Sequence, residues 1–173
     1  MKIGFCGTVS VGKTTLVKEL AKLPEFQDYK VACERSKYLN SLGIPLNHQT
    51  TIEGQTIFLA ERVTELMQDN IITDRTIIDV MSFTQCAQKV SIIDSDAFAE
   101  YAKRFIYQYD YIFYVSPEGV EIEDNGIRET NSKYRDQIDK TIQHLLFKYV
   151  PTFYTIKGST PDRIQQVMEV INF

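Results

Sequence analysis

One motif, at residues 7–14, restricts the fold more than any other feature of this sequence. These residues read Gly-Thr-Val-Ser-Val-Gly-Lys-Thr and match the pattern GxxxxGK[ST] of a phosphate-binding loop (P-loop). The apolar stretch Lys2–Cys6 precedes the loop, and apolar residues at helical spacing follow it, at Leu16, Val17 and Leu20. A strand, this loop and then a helix form the context in which the motif binds phosphate. The sequence therefore predicts that the chain binds a nucleoside triphosphate.

The chemistry of the loop residues suggests a role for each. Gly7 and Gly12 allow the backbone to turn so that successive amides form an anion cradle at the positive end of the following helix. Lys13 is expected to reach the β- and γ-phosphate oxygens, and the Thr14 hydroxyl is the expected protein ligand of Mg²⁺. Ser10 either contacts a phosphate oxygen or simply fills the loop. The predicted nucleotide-binding set is Gly7, Thr8, Val9, Ser10, Val11, Gly12, Lys13, Thr14 and Thr15.

Length and composition predict a single domain spanning residues 1–173. The 173 residues, 43% of them hydrophobic, suffice for one core but not for two domains of ordinary size. The net charge of −4 provides no overall attraction to nucleic acid or to an anionic membrane. Three cysteines, at Cys6, Cys33 and Cys86, suggest no disulfide framework and suit a reducing compartment. With neither a secretory signal nor an apolar run of membrane length, we expect a cytoplasmic protein without a membrane partner.

Short apolar strands alternate with longer amphipathic segments along the chain. Strands are predicted at Lys2–Cys6, Lys30–Cys33, Ile71–Thr73, Tyr111–Val115 and Thr152–Ile156, and helices over residues 13–22, 53–69, 76–88, 94–108, 131–148 and 160–171. Strands without clean polar alternation are typical of a parallel sheet that is covered on both faces. The pattern predicts an α/β fold of the P-loop NTPase type, with three α/β/α layers and a five-stranded parallel sheet. Segments 40–51 and 116–132 are rich in turn formers and are predicted to be loops.

Two acidic residues follow predicted strands, where open parallel sheets bind their ligands. Glu34 follows the second strand and Asp74 the third, so both are placed to face the γ-phosphate. One could accept a proton from a hydroxyl nucleophile while the other holds Mg²⁺, and the sequence does not decide which. Asp74 could instead be the N-cap of a helix that starts near Arg75, and Glu34 with Arg35 could be a solvated helix start.

Four arginines are candidates for contacts with phosphate. Arg75 lies at a strand end, where its guanidinium could bind a phosphate of the donor or the acceptor, and Arg35 could join it if the acceptor is a monophosphate. We predict that residues from about 116 to 135 form a mobile lid. Within it, Arg128 and Arg135 are expected to stabilise the transferring phosphoryl group on closure. Each of these arginines could also be a solvated surface charge.

Two further predictions concern the edges of the site. Gly158 and Ser159 follow the last strand and form a turn that could lie against an adenine ring, while Thr160 before Pro161 is predicted to cap the next helix. The acceptor pocket is expected to draw on Tyr38, Phe58 and Phe83, although each could equally belong to the core. The two histidines, His48 and His144, have no carboxylate or cysteine neighbours in sequence, so we expect no metal site on them.

Taken together, these motifs resemble the P-loop kinases of nucleosides and nucleotides, and within them the NadR-like group, a NadR/Ttd14-type AAA domain that includes ribosylnicotinamide kinase domains. The likeness covers nearly the whole chain and rests on the P-loop, Glu34–Leu39, Ile72–Arg75, Asp124–Arg128, and Tyr134–Arg135 with Ile138–Asp139. The Glu34 position also looks like the catalytic carboxylate of deoxynucleoside kinases, and the pair Asp74-Arg75 resembles that of thymidylate kinases. The resemblance implies ATP and Mg²⁺ as cofactors and phosphorylation of a nucleoside-like hydroxyl. Related kinases often pair through helices, which leaves a homodimer open, but no stripe in this sequence is apolar enough to require one.

The favoured function is an ATP- and Mg²⁺-dependent kinase acting on a nucleoside or a (deoxy)nucleoside monophosphate. The predicted catalytic residues are Lys13, Glu34, Asp74 and Arg128; the acceptor residues are Glu34, Arg35, Arg75 and Arg135; the metal ligands are Thr14 and Asp74; Arg128, Gly158 and Ser159 complete the nucleotide site. A regulatory NTPase is the first alternative, but the Asn-Lys-x-Asp and Asp-x-x-Gly motifs of a GTPase do not occur. A kinase acting on hydroxyl groups in DNA is the second, and the acidic balance of the chain weighs against it.

Overall fold

A computed structural model describes residues 1–33, 35–120 and 131–172 of the protein. The strands are β1 (Lys2–Cys6), β2 (Lys30–Ala32), β3 (Ile71–Asp74), β4 (Tyr111–Val115) and β5 (Tyr154–Ile156). The α-helices are α1 (Lys13–Leu20), α2 (Ser36–Ser41), α3 (Ile52–Glu65), α4 (Ile77–Gln85), α5 (Ile92–Ala102), α6 (Ser132–Tyr149) and α7 (Thr160–Ile171). Short 3₁₀ helices cover Pro24–Phe26, Asn47–Gln49 and Lys103–Gln108.

The five strands form one parallel sheet in the order β2-β3-β1-β4-β5. The central strand β1 lies between β3 and β4, with Phe5 paired to Asp74 on one side and to Phe113 on the other. This arrangement brings the end of β3 beside the P-loop, which leaves β1. The predicted α/β fold with a five-stranded parallel sheet is confirmed.

Side chains alternate across the central strand and divide the core into two layers. Ile3 and Phe5 pack with residues of α1 and α7 on one face, whereas Cys6 packs with residues of α4, α5 and α6 on the other. Gly4 faces the second layer, where an added Cβ would come within 2.6 Å of the Thr76 side chain and 2.7 Å of the Tyr109 ring. Both faces of the sheet are therefore covered, as the uniformly apolar strands predict.

The elements differ from the predictions mainly at their ends. Helix α2 was not among the predicted helices, because its short sequence runs into turn-forming residues at Asn40 and Ser41, but a helix start at Arg35 was one of the alternatives and Arg35 is its N-cap. The helix predicted over 94–108 is α5 followed by a 3₁₀ helix, and β2 is an exposed edge strand that ends before Cys33. Glu34 and residues 121–130, which include Arg128, lie outside the described residues, so the lid remains a prediction. None of the helices in the described part of the chain combines the length and apolar composition needed to cross a membrane.

Candidate active site

The P-loop joins β1 to α1 through backbone conformations that favour glycine. Gly12 has a φ of 83° and ends the loop as the N-cap of α1, while Gly7 has a φ of 153° and would place a Cβ 2.8 Å from the Val115 carbonyl oxygen. Ser10 also has a positive φ, of 59°. These turns wrap the loop around the start of α1, whose free amides favour an anion.

Lys13 is buried inside the loop, where its ammonium group is held by main-chain oxygens. Its Nζ donates hydrogen bonds to the Gly7 carbonyl at 2.5 Å and to the Thr8 carbonyl at 2.7 Å. Burial, with a further contribution from the nearby charge of Arg75, lowers the pKa of Lys13 to about 8, while Asp79 and Asp74 act in the opposite direction. The Lys13 ammonium at the centre of the loop therefore loses its proton at a pH not far above neutral.

The two predicted metal ligands, Thr14 and Asp74, are in direct contact. The Thr14 hydroxyl donates a hydrogen bond to the Asp74 carboxylate, which lies at the end of β3 and is 1% exposed. Capping of the next helix is done by Thr76, so the alternative role of Asp74 as an N-cap is wrong. A hydroxyl and a carboxylate are oxygen ligands that suit Mg²⁺, which takes few protein ligands and fills its shell with phosphate and water oxygens. Among the described residues no group of three or more acidic, histidine or cysteine side chains could hold a metal by itself.

Asp79, on the first turn of α4, connects the P-loop to the end of β3. One carboxylate oxygen, Oδ1, accepts a hydrogen bond from the Gly7 amide at 3.2 Å, and Oδ2 accepts from the Thr76 amide at 2.7 Å and the Thr76 hydroxyl at 3.0 Å. Complete burial raises the pKa of Asp79, whereas Lys13 and Arg75 act to lower it. Asp79 was not among the predicted site residues, although Thr76-x-x-Asp79 has the spacing of a capping box.

Arg75 and Arg35, two of the three arginines predicted to contact the acceptor, are both paired with carboxylates. Arg75 Nη1 lies 3.9 Å from Asp79 Oδ1, and its guanidinium carbon is 4.9 Å from the centroid of the Phe83 ring. Arg35 Nη1 lies 3.1 Å from Glu61 Oε1. The alternative that Arg75 is a solvated surface charge is wrong, because its side chain is only 20% exposed. The Arg35 side chain is 52% exposed and lies at the surface.

Two arginines from the last helices hold the P-loop from outside. Arg135 donates from Nε to the Val9 carbonyl at 3.3 Å and from Nη1 to the Val120 carbonyl at 2.9 Å. Arg163 donates from Nη1 to the Val11 carbonyl at 2.5 Å and is 3% exposed. Arg135 is therefore a loop contact rather than a solvated charge, and it is not among the residues that line the cavity described below.

Arg62 on α3 also contacts the site and was not among the predicted residues. Its side chain is 3% exposed, and its Nη1 donates a hydrogen bond to the main-chain oxygen of Asp74 at 3.0 Å, which holds the end of β3 in place. Arg62 and Arg163 share a signal that could have identified them. Each is a charged residue at helical spacing from buried apolar positions, Leu59 in α3 and Val167 in α7.

Gly158 and Ser159, which were predicted to lie against an adenine ring, form the turn directly before α7. Ser159, not Thr160, caps α7, because its hydroxyl accepts from the Asp162 amide while the Asp162 carboxylate accepts from the Ser159 amide. The prediction of Thr160 as the cap is wrong, since this reciprocal capping box starts one residue earlier. Gly158 has a φ of 93°, and neither it nor Ser159 lines the cavity.

A cavity of about 500 Å³ opens beside the P-loop and extends towards α2, α3 and α4. On one side it is lined by the loop, from Val9 to Thr14, and by Asp74. On the other side it is lined by all three predicted aromatic residues, Tyr38, Phe58 and Phe83. The site thus combines a phosphate-binding loop, a pair of oxygen ligands and an aromatic pocket large enough for a second small molecule.

The sequence of the chain matches the model of one known protein family. The profile of a family described as an AAA domain matches residues 2–163. No protein of curated function matches the sequence at a significant level.

Solved structures share the fold at low sequence identity. Deoxyadenosine kinase from M. mycoides, solved with dCMP and dCDP, has a TM-score of 0.69 at 19% identity, covering 99% of this chain and 98% of that one. NadR in complex with NR has a TM-score of 0.78 at 16% identity, covering 99% of this chain and 51% of NadR. Thymidylate kinase from Ehrlichia chaffeensis has a TM-score of 0.63 at 16% identity, covering 99% and 97%. The chain spans about half the length of NadR but nearly all of the other two.

Proposed function

We propose that this chain, which belongs to the AAA domain family, is a kinase that transfers the γ-phosphate of ATP to a hydroxyl group of a nucleoside or nucleoside monophosphate. The observation that carries the proposal is the aromatic cavity of about 500 Å³ that opens directly beside the P-loop and the pair Thr14 and Asp74. A kinase must hold a second substrate against the phosphate chain, whereas a hydrolase needs room only for water. The solved kinases that share the fold, for deoxyadenosine and thymidylate, support this class.

In this proposal the P-loop binds the phosphates of ATP. The amides from Val9 to Thr14 surround the phosphate oxygens, and Lys13 exchanges its bonds to the carbonyls of Gly7 and Thr8 for bonds to the β- and γ-phosphates. Arg135 and Arg163 keep the loop in shape through its carbonyl groups. Because these contacts come from the protein itself, the cradle is organised before the nucleotide arrives.

Thr14 and Asp74 are the proposed ligands of Mg²⁺. Their contact shows that a hydroxyl and a carboxylate oxygen meet at the edge of the cavity, and Arg62 fixes the backbone of Asp74 from the opposite side. A bound Mg²⁺ would neutralise charge on the phosphate oxygens during transfer. Because Asp74 is occupied in this way, we assign the role of general base to Glu34.

The transfer itself is a single displacement at the γ-phosphorus. The acceptor hydroxyl oxygen forms a bond to phosphorus as the bond to the bridging oxygen of ADP breaks, and the hydroxyl proton passes to Glu34. Lys13 and Arg128 are proposed to stabilise the negative charge on the transferring group. The lid predicted from about 116 to 135 overlaps the start of α6, where Arg135 is fixed on the P-loop. We propose that the part of the lid before α6 closes and excludes water, so that the acceptor is favoured over hydrolysis.

Three substitutions test these roles with labelled ATP and a panel of nucleosides and monophosphates. We expect Lys13→Ala to abolish transfer, Glu34→Gln to lower kcat while binding of ATP with Mg²⁺ stays near normal, and Asp74→Asn to raise the Mg²⁺ concentration required. Lys22→Ala is a matched control, because Lys22 is an exposed cation that follows α1 and pairs with Glu19 at 2.7 Å, outside the site. Full activity in both carboxylate variants would refute the assignment. Label released only as inorganic phosphate would favour a regulatory NTPase.

A further inference from the structure

The part of the cavity away from the P-loop, which we call the acceptor side, is lined by Arg35, Tyr38, Phe58, Arg75 and Phe83. Three aromatic rings there suit the flat, apolar face of a nucleobase. The two guanidinium groups raise a question that the sequence left open. They could bind a phosphate on the acceptor, or they could be engaged elsewhere in the protein.

Arg35 is engaged by a carboxylate on α3. Glu61 Oε1 lies 3.1 Å from Arg35 Nη1, and the Arg35 guanidinium carbon lies 4.5 Å from the centroid of the Tyr38 ring. The Glu61 side chain is 17% exposed, and its second oxygen, Oε2, is buried and accepts no hydrogen bond from any described residue. Glu61 therefore brings a poorly hydrated negative charge to the acceptor side, with Arg35 as its counter-ion.

Arg75 is held in a comparable way by Asp79. The two side chains approach to 3.9 Å, and the Arg75 guanidinium lies over the Phe83 ring. Asp79 is fully buried and fixed by its bonds to Gly7 and Thr76, so it cannot move away to make room for another anion. The positive charge of Arg75 is thus partly balanced inside the fold.

A phosphate on the acceptor would compete with both carboxylates. It carries up to two negative charges and binds best to two cationic contacts, but each guanidinium here already faces a carboxylate, and like charges brought together weaken binding. Two lysines, Lys18 and Lys37, also line the cavity, but both are exposed, and exposed ammonium groups are strongly screened by water and salt. An uncharged acceptor meets none of these penalties.

We infer that the acceptor side takes a nucleoside without a phosphate group, and that Glu61 sets this selectivity by engaging Arg35. The inference rests on the proposed kinase function and narrows its acceptor class. Glu61 does not line the cavity, so it acts through Arg35 as a positioning residue. Selectivity of this kind arises from a charge that disfavours the wrong ligand as much as from contacts that favour the right one.

The test compares nucleosides with their own 5′-monophosphates. The common ribonucleosides and deoxynucleosides, together with nicotinamide riboside, are each offered as a pair to the full chain with ATP and Mg²⁺, and kcat/KM is measured for both members. We expect the nucleoside to be preferred by at least about tenfold, because like-charge contacts oppose the monophosphate. Glu61→Gln should reduce this preference several-fold by releasing Arg35, mainly through a lower KM for the monophosphate. Glu100→Gln is the matched control, since Glu100 pairs with Lys103 on the surface of α5 and should leave the ratio unchanged.

Calorimetric binding of the same pairs, with a non-hydrolysable ATP analogue present, separates this inference from the kinase proposal. Equal or better use of monophosphates by the unmodified chain overturns the inference and leaves the kinase proposal standing. An unchanged ratio in a folded Glu61→Gln variant overturns the role of Glu61. If no acceptor is phosphorylated, the kinase proposal fails, and tighter binding of nucleosides than of monophosphates then supports the selectivity of the cavity but not its role as an acceptor site. Tighter binding of monophosphates, or binding of neither, overturns the inference.

Discussion

Replacing Asp79 by asparagine tests whether this buried carboxylate holds the P-loop in place. Both of its oxygens act as acceptors, Oδ1 for the Gly7 amide and Oδ2 for the Thr76 amide and hydroxyl. An asparagine amide has only one acceptor oxygen. Whichever way it is turned, its NH₂ group faces the N–H of either Gly7 or Thr76, so one buried donor loses its partner.

The magnitude follows from that count. Leaving one buried donor unsatisfied costs about 1–3 kcal/mol. Because burial raises the pKa of Asp79 and so disfavours its charged form, loss of the charge adds no further penalty, and we expect Asp79→Asn to lower the free energy of unfolding by about 1–3 kcal/mol. For a chain of this size each kcal/mol lowers Tm by about 2–4 °C, so the expected drop is roughly 2–12 °C. Binding of ATP should weaken as well, because Gly7, whose amide bonds to Asp79, is the first residue of the P-loop.

The chain contains its own control for this experiment. Asp162 forms the same kind of capping box on α7, but its Oδ2 alone receives the Ser159 amide and hydroxyl, and the box is exposed. An asparagine can place its single oxygen there, so Asp162→Asn should have a much smaller effect. Urea unfolding and thermal melts of both variants provide the measurement. Equal losses in the two variants, or an Asp79→Asn variant as stable as the unmodified chain, would refute the reasoning.

Three other predictions concern the same loop. Because the pKa of Lys13 is about 8, kcat/KM for ATP should be highest below that pH and fall as the ammonium deprotonates above it, and a profile that stays flat through this value contradicts the assignment. Gly12→Ala should lose about 1–2 kcal/mol of stability from its left-handed backbone. In a thermal melt, Gly12→Ala should lower Tm more than Gly43→Ala does. A Cβ at Gly12 would lie 3.2 Å from Arg163 Nη1, whereas a Cβ at Gly43 would meet no atom within 4 Å. Equal losses of Tm would contradict this prediction. Arg163→Met should destabilise the fold by about 1–3 kcal/mol and weaken ATP binding, since the Val11 carbonyl loses its donor, and an unchanged Tm contradicts this.

The sequence was sufficient to predict the layers and the centre of the site. The P-loop motif and the apolar strands obey local rules of spacing and chain conformation, and β1 and β4 have the predicted bounds. The placement of Asp74 beside Thr14 followed from a general property of parallel sheets, whose carboxyl ends meet at one edge.

The remaining features depend on contacts between residues that lie far apart in the chain. Nothing in the sequence near Glu61 indicates that it pairs with Arg35, and nothing near Arg163 indicates that it holds the loop 152 residues earlier. Helix α2 and the cap at Ser159 were missed for other reasons. Helix α2 is short and runs into the turn formers Asn40 and Ser41, whereas at the start of α7 neighbouring residues with similar capping preferences, Ser159 and Thr160, compete for the cap.

The most direct test of the central claim is phosphorus NMR of the full chain incubated with ATP, Mg²⁺ and the nucleoside panel. If the chain is a kinase, the γ-phosphate resonance of ATP should be replaced by a new phosphomonoester resonance in equal amount to the ADP formed, and Lys13→Ala should abolish the change. Conversion of the γ-phosphate to inorganic phosphate alone, or ATP that remains intact with every acceptor, would contradict the proposal.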